Sequence, residues 1–302
     1  MGETGRKSAC VTVRPTPIMI RMPRLPHPTP EELRRDPLPL RGRTALVTGA
    51  SRRGGIGHAV ARRLAAYGAS VYLHHHVPHD AGQPWGADRP EDVVASVREA
   101  LGDPDAEVLA GPGDLSDPAA PADLIATAAS ALGGRLDILV ANHAQSGRDG
   151  SLDEIDAAML DTHWAVDTRS VILLVQAYAR LRAALPPGTP GGRVMMMTSG
   201  QDIAGGMAWE LAYALQKGAL ASVTRSLSTA LAEHAVTVNT VNPGPVDTDY
   251  MTGEDYDTVA AMFPAGRWGM PDDPARLIAW LATDEAGWIT GEVINSEGGF
   301  RR

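Results

Sequence analysis

The stretch Met197-Thr-Ser-Gly-Gln-Asp-Ile-Ala-Gly-Gly-Met-Ala-Trp-Glu-Leu-Ala-Tyr-Ala-Leu-Gln-Lys217 joins a predicted buried strand, residues 192–198, to a predicted helix. A glycine-rich loop between them carries Ser199. Tyr213 and Lys217 are four residues apart, so they lie on one face of that helix. A free tyrosine has a pKa of about 10, and a neighbouring ammonium lowers it. The pattern indicates an acid–base site, although such a pair also occurs on many unrelated helices.

From Arg43 onward, the sequence alternates between strand and helix patterns. Several strands are near-continuous apolar runs, which is typical of strands covered on both faces. The pattern predicts the α/β class: a single doubly wound Rossmann-type domain with a parallel seven-stranded sheet flanked by helices. Strands are predicted at Thr44–Thr48, Ser70–His74, Ala106–Ala110, Leu136–Ala141, Arg193–Thr198, Val236–Val241 and Glu292–Asn295, and helices near 57–67, 90–101, 118–132, 158–185, 210–233 and 273–283.

Residues 1–40 differ in composition from the rest of the chain. They hold eight of the 23 prolines, with seven basic and four acidic residues. Proline at this density prevents regular helix or sheet. We therefore predict a proline-rich N-terminal tail or surface arm at 1–40, followed by a dinucleotide-binding and catalytic domain at 41–302.

The composition of the 302 residues excludes several classes of protein. A hydrophobic fraction of 44% and a charged fraction of 21% are those of an ordinary globular protein. The net charge of −9 argues against nucleic-acid binding. No apolar run approaches the roughly 20 residues that span a bilayer, and the single cysteine, Cys10, provides neither a disulfide nor a cysteine metal site. We expect a cytoplasmic protein without a membrane partner or a metal.

A glycine-rich turn, Thr48-Gly-Ala-Ser-Arg-Arg-Gly-Gly-Ile-Gly57, follows the first strand and opens a helix. This position predicts a dinucleotide site, because glycines let the backbone approach a pyrophosphate at the helix N-terminus. An NAD site usually has a carboxylate at the end of the second strand, whereas Tyr72-Leu-His-His-His76 has none. The pattern favours NADP(H), with NAD(H) possible. The predicted contacts are Gly49, Ser51, Arg52, Arg53, Gly55, Ile56 and Gly57.

The histidines at 74, 75, 76 and 79 form a cluster at the end of the second strand. Adjacent strand residues point to opposite faces, so they do not converge on one metal ion. We expect solvated histidines or histidines at the edge of the cofactor, and we take His74 as the contact to the adenosine ribose or its phosphate.

These patterns occur in an order that resembles the short-chain dehydrogenase/reductase family, and within it the 3-oxoacyl-(acyl carrier protein) reductase-like branch. The resemblance covers residues 41–302. Its motifs are Thr48-Gly-Ala with Gly55-Ile-Gly57, Gly113-Asp-Leu115, Ala141-Asn-His-Ala144, Thr198-Ser199, Tyr213 with Lys217, Asn242-Pro-Gly-Pro-Val-Asp-Thr248, and Trp288-Ile-Thr-Gly-Glu-Val-Ile-Asn-Ser-Glu-Gly-Gly-Phe300.

The resemblance implies a role for each matching residue. Tyr213 would exchange a proton with the substrate oxygen, Ser199 would orient that oxygen, and Lys217 would hold the nicotinamide ribose and lower the tyrosine pKa. The family's fourth catalytic residue, an asparagine, is replaced here by Asp167. Further cofactor contacts are implied for Asp114, Leu115, Asn142, Pro243, Gly244, Val246 and Thr248. The glycine turn is two residues longer than the common family spacing.

The predicted activity is hydride transfer between NADP(H) and a ketone/secondary-alcohol pair, as in a 3-oxoacyl or ketone reductase. The substrate would be a small carbonyl compound, including a carrier-bound acyl chain or a polyketide, in a pocket with Gln201, Met207, Trp209 and Met251. The alternatives are a non-catalytic redox sensor, an NAD-dependent alcohol dehydrogenase, and an epimerase, dehydratase or enoyl reductase. Family enoyl reductases usually space tyrosine and lysine more widely. The resemblance also implies a homo-oligomer, a tetramer or dimer formed through helices 158–185 and 210–233.

Overall fold

Seven parallel strands form one sheet in the order β3-β2-β1-β4-β5-β6-β7. The structure is a computed structural model that describes Thr29 and residues 33–203 and 205–301. The order reverses direction between β1 and β4, which creates the crevice at the strands' carboxyl ends where doubly wound folds bind ligands. The predicted fold class is confirmed. The strands are β1 Thr44–Val47, β2 Ser70–His75, β3 Val108–Pro112, β4 Ile138–Ala141, β5 Gly192–Met197, β6 Val236–Asn242 and β7 Val293–Asn295.

Nine α-helices connect or flank these strands in the described part of the chain. The short helices α2 and α8 were not predicted, and neither has a buried residue. None of the described helices has the length and apolar character needed to cross a membrane. The helices are α1 Ile56–Ala66, α2 Val77–Ala81, α3 Pro90–Arg98, α4 Ala120–Ala131, α5 Ala157–His163, α6 Ser170–Ala183, α7 Leu211–Leu231, α8 Glu254–Ala261 and α9 Asp272–Leu281.

The chain divides into two units, Met1–Asp36 and Pro37–Arg302. Most of the predicted proline-rich arm, residues 1–40, lies outside the described residues. Leu40 is 1% exposed and packs in the core of the second unit, so this unit begins a few residues before the predicted boundary at Arg41.

Side chains that alternate along the strands fill two hydrophobic clusters. Val47 and Val140 contribute to one cluster together with residues of α1, α3 and α9. Leu46 and Leu139, their chain neighbours, contribute to the other cluster with residues of α4, α6 and α7. Because successive residues of a strand point to opposite faces, the sheet is covered on both sides. This explains the near-continuous apolar runs in the sequence.

The helix predicted over 158–185 is interrupted by a π-helical turn at Trp164–Arg169, between α5 and α6. The hydrogen bonds of a π turn span one residue more than those of an α turn, and such turns are frequent at functional sites. The interruption buries Asp167 completely. It lies on the segment where the resemblance expects a catalytic asparagine.

A buried ion pair ties the amino ends of the strands together. The carboxylate of Asp137, just before β4, is fully buried and lies 3.3 Å from the buried guanidinium of Arg182. It also accepts hydrogen bonds from Nε of Arg135 and the backbone N–H of Thr44. This network is at the opposite end of the sheet from the crevice, so it serves the fold rather than the site.

Candidate active site

A cavity of about 1060 Å³ opens at the carboxyl ends of the strands. This volume is slightly above the range of roughly 300–1,000 Å³ for pockets that bind drug-sized ligands, so the cavity can hold a large ligand. Most of the predicted cofactor and substrate residues lie in its wall. The predicted residues that line it are Gly49, Ser51, Arg52, Gly55, Ile56, His74, Asp114, Leu115, Asn142, Ser199, Met207, Trp209, Tyr213, Pro243, Gly244, Val246 and Thr248.

The glycine turn packs closely against the end of β4. Gly49 has a φ of 66°, and a Cβ there would lie 2.7 Å from Cα of His143. A Cβ on Gly57 would lie 2.6 Å from the carbonyl oxygen of Gly49. Asn142 Nδ2 donates to the carbonyls of Thr48 and Gly49, both at 3.1 Å. Gly57 thus acts through close packing and does not line the cavity. The cradle ends at the N-terminus of α1, and it fits the pyrophosphate of a dinucleotide.

The two arginines of the glycine turn have different surroundings. Arg52 faces the cavity, where its guanidinium donates to the carbonyl of Thr248 and lies 3.6 Å from the carboxylate of Asp80. Arg53 is not in the wall. Its backbone N–H and guanidinium both bond to Asp88 outside the cavity. Of the two arginines predicted to contact the cofactor, Arg52 lines the cavity and Arg53 does not.

His74 lies in the cavity wall but supports the glycine turn. Its Nδ1 accepts from the N–H of Gly49 at 3.3 Å, and its Nε2 donates to the carbonyl of Gly113 at 3.0 Å. Burial lowers the pKa of His74 to about 4, so the ring is neutral. Because both ring nitrogens are already bonded within the protein, His74 positions the turn rather than reaching out to the adenosine. Within the described residues, no group of three or more His, Cys, Asp or Glu side chains could hold a metal ion.

The predicted catalytic residues Ser199, Tyr213 and Lys217 come together at one side of the cavity. Ser199 follows the end of β5, and both it and Tyr213 line the wall. Lys217 is 1% exposed, and its Nζ lies over the tyrosine ring, 5.3 Å from the ring centroid. The same ammonium donates to the carbonyl of Met197 at 3.2 Å. The arrangement places a cation directly behind the face of the tyrosine.

The pKa of Tyr213 is shifted in the direction opposite to the one expected from the sequence. The resemblance predicted a pKa lowered by Lys217, but burial raises it, and the carboxylates of Asp167 and Glu210 raise it further. The Lys217 ammonium, which lies over the ring, does not offset these effects. Burial lowers the pKa of Lys217, whereas the charge of Asp167 raises it. Tyr213 is therefore a protonated phenol at neutral pH.

The catalytic helix α7 is capped by a side chain from a distant loop. Asp149 accepts the backbone N–H groups of Ala212 and Tyr213, each at 2.8 Å. A carboxylate at a helix N-terminus satisfies orphan donors and complements the helix dipole. Asp149 therefore fixes where α7 begins and so where Tyr213 stands. No local pattern in the sequence identifies this residue, because it is more than 60 positions from its partners.

Asp167 does not line the cavity. Its Oδ1 accepts from the backbone N–H of Gln145 at 2.6 Å, and its Oδ2 lies 2.8 Å from Nδ1 of His163. His163, the last residue of α5, does line the cavity, and its ring meets that of Tyr213 edge to face. His163 was not among the residues predicted from the sequence. Its position four residues before Asp167 was the available signal.

Two residues predicted to contact the substrate, Gln201 and Met251, do not line the cavity. The amide oxygen of Gln201 accepts from the backbone N–H of Ser199 at 3.2 Å, so this side chain is folded back onto its own loop. Met251 lies outside the cavity wall, and its neighbour Tyr250 lines the cavity instead. Met207 and Trp209 do line it, as predicted.

Comparison with known proteins identifies the class. The family model described as Enoyl-(Acyl carrier protein) reductase matches residues 49–301. An uncharacterized oxidoreductase of Bacillus subtilis (strain 168), YjdA, is 42% identical over 260 residues, which cover 85% of this chain and 96% of that protein. Versicolorin reductase 1 of Aspergillus parasiticus is 31% identical over 87% of this chain and 98% of that protein.

A solved structure agrees with these matches. A short chain dehydrogenase from Burkholderia cenocepacia J2315, in complex with NADP, is 36% identical and has a TM-score of 0.73. The match covers 86% of this chain and 98% of that one. The chain is thus an oxidoreductase that binds a nicotinamide dinucleotide. It belongs to the short-chain dehydrogenase/reductase family.

Proposed function

We propose that this protein is an NADPH-dependent ketone reductase that converts a carbonyl to a secondary alcohol. The observation that carries this proposal is that Ser199 and Tyr213 line the same cavity as the glycine turn, with the Lys217 ammonium behind the tyrosine ring. A redox sensor that only binds the dinucleotide has no need of this convergence of three catalytic side chains.

The dinucleotide, when bound, supplies a hydride from the nicotinamide ring to the substrate carbon. Ser199 donates a hydrogen bond to the carbonyl oxygen and orients it, and Tyr213 then gives its phenolic proton to the same oxygen. The Lys217 ammonium stabilises the negative charge that remains on the tyrosine. A phenol is protonated at neutral pH, so Tyr213 carries the proton that ketone reduction consumes.

The cavity wall supports a substrate with an apolar part. Met207, Trp209 and Tyr250 contribute apolar and aromatic surface, and Ser199 and Tyr213 contribute hydroxyl groups. A polyketide ketone is the substrate class to test first, and the similarity to versicolorin reductase 1 adds versicolorin to the compounds tested. A 3-oxoacyl thioester, free or carrier-bound, is the second candidate.

A screen of NADPH oxidation tests this function. The panel contains polycyclic aromatic ketones, 3-oxoacyl thioesters, the matching enoyl thioesters and simple cyclic ketones. We expect turnover on at least one ketone and none on the enoyl thioesters. Turnover only on enoyl thioesters would identify an enoyl reductase, and tight NADPH binding without any turnover would favour the redox sensor.

The preference for NADP(H) is proposed to depend on Arg52, which is the arginine of the turn that faces the cavity. We expect Arg52→Gln to raise the Kd for NADPH about tenfold or more, since a hydrogen bond to a charged group contributes about 1.5–3 kcal/mol. The Kd for NADH should change much less. Arg53→Gln is the matched control and should leave both constants near wild type. Equal losses for both dinucleotides would contradict the proposal; fluorescence titration measures them.

We also propose that the protein forms a homo-oligomer, as the family resemblance implies. Trp164, in the π turn, is 47% exposed, and Leu215, on α7, is 59% exposed. Large apolar side chains left in water on these two elements support association through them.

A further inference from the structure

The position of the family's asparagine holds a buried carboxylate that needs compensation. Asp167 is fully buried, and burying an unpaired charge is costly. Within residues 33–203 and 205–301, no lysine or arginine lies within 4 Å of it, whereas Nδ1 of His163 lies at 2.8 Å. The remaining close donor is the backbone N–H of Gln145. His163 is therefore the side chain within hydrogen-bonding distance that can balance this charge.

The surroundings of His163 fit a doubly protonated ring. Nδ1 faces the carboxylate of Asp167, and Nε2 faces the carbonyl oxygen of Gly147 at 3.3 Å. Both partners only accept hydrogen bonds, so both ring nitrogens must carry a proton to satisfy them. Burial lowers the pKa of His163, but its hydrogen bond to Asp167 and the charges of Asp167 and Asp149 outweigh burial and raise the pKa overall.

The pair lies next to the catalytic side chains. The ring centroids of His163 and Tyr213 are 6.3 Å apart, with the rings at 81°. The charge of Asp167 acts on both Tyr213 and Lys217. A neutral asparagine at this place would exert no such effect. A protonated histidine paired with the aspartate would reduce this effect.

We propose that His163 and Asp167 form a positioning pair, in which the protonated ring of His163 neutralises the carboxylate that replaces the family's asparagine beside Tyr213 and Lys217. Asp167 does not line the cavity, so it contacts neither substrate nor cofactor. The pair acts by changing the pKa of Tyr213. The catalytic consequence of this pair rests on the proposed function, whereas the ionisation of the pair does not.

Removing each partner has a different effect on the tyrosine. His163→Asn keeps a donor near the position of Nδ1 but leaves the charge of Asp167 uncompensated, so the pKa of Tyr213 rises. Asp167→Asn removes the carboxylate, and buried His163 then becomes neutral, so the net charge of the pair stays at zero. The other titratable groups near the pair remain in every variant: His79, Asp149, Glu210, Lys217 and Tyr250.

The ionisation of the pair is tested without substrate or cofactor. Nitrogen-15 NMR of the histidine rings follows His163 through a pH titration, with the resonance assigned by its loss in His163→Asn. We expect His163 to titrate above the ordinary value of about 6.5 in the wild type and below it in Asp167→Asn. A neutral His163 throughout the neutral range in the wild type would overturn the proposal, whether or not any ketone is turned over.

The catalytic consequence is tested in the direction of alcohol oxidation, which requires deprotonated Tyr213. At about pH 6.5, a one-unit rise in the tyrosine pKa lowers turnover about tenfold. We expect this loss in His163→Asn and recovery to within about threefold of wild type when Asp167→Asn is added. His234→Asn, the same change far from the cavity, is the control. If the double variant is at least as slow as His163→Asn, the proposal is overturned. Such a result would indicate damage to packing, which accumulates with each substitution, whereas the charge effects of the two substitutions cancel.

Discussion

We expect Tyr213→Phe to lower ketone reduction about 10³-fold while the Kd for NADPH stays near its wild-type value. A positioned general acid contributes roughly 10²–10⁴-fold to the rate, and phenylalanine removes only the hydroxyl that carries the proton. The ring remains in place over the Lys217 ammonium, and Asp149 still caps α7. Turnover at saturating substrate and a fluorescence titration with NADPH measure the two effects separately.

The matched control for this variant is Tyr67→Phe, which removes a hydroxyl at the end of α1, outside the cavity wall. Its turnover should equal that of the wild type. A Tyr213→Phe variant that kept most of its activity would show that another group supplies the proton. A variant that lost NADPH binding as well would show that the hydroxyl serves the cofactor rather than the chemistry.

The second large effect is expected in stability. Asp137→Ala should lower the free energy of unfolding by about 3–5 kcal/mol, because it leaves the buried guanidinium of Arg182 without its carboxylate. The same change removes acceptors for Arg135 and for the backbone N–H of Thr44. Urea denaturation followed by circular dichroism measures the loss as a shift of the midpoint at constant slope.

An exposed ion pair provides the control for this prediction. Arg225 and Glu292 are 3.0 Å apart, but their side chains are 74% and 52% exposed. Exposed pairs contribute little, so Glu292→Ala should leave the unfolding midpoint close to wild type. If Asp137→Ala behaved like this control, the buried pair would not stabilise the sheet. Because Asp137 is at the opposite end of the strands from the cavity, the activity of folded Asp137→Ala should persist.

The strands and the catalytic tyrosine could be predicted from the sequence because each leaves a local pattern. Apolar runs located all seven strands to within two residues at each end. The largest differences are in β3, predicted at Ala106–Ala110 but observed at Val108–Pro112, and at the start of β4, predicted at Leu136 but observed at Ile138. The spacing of Tyr213 and Lys217 gave their common helix face. Helix α8 left no such signal, since its first turn is acidic and none of its residues is buried.

The features that the sequence did not predict depend on distant partners or on side-chain direction. Asp149 caps a helix more than 60 residues away, and nothing in its neighbours indicates this. Gln201 was predicted to face the substrate, but a polar loop residue can equally bond to its own backbone, as this one does. The π turn depends on which hydrogen bonds form within an otherwise ordinary helical segment, and hydrophobic periodicity cannot distinguish these alternatives.

The two hydrophobic clusters determine which residues of the cavity wall can be substituted with little effect on stability. Within the described residues, neither cluster includes a residue from the loops 205–210 or 249–253, which contribute Met207, Trp209, Glu210 and Tyr250 to the cavity wall and hold none of the catalytic or cofactor residues named above. Mutations there alter what the cavity accepts at little cost to folding. A duplicated gene can therefore acquire a new substrate through these loops alone, and directed evolution toward another ketone should begin with libraries confined to them.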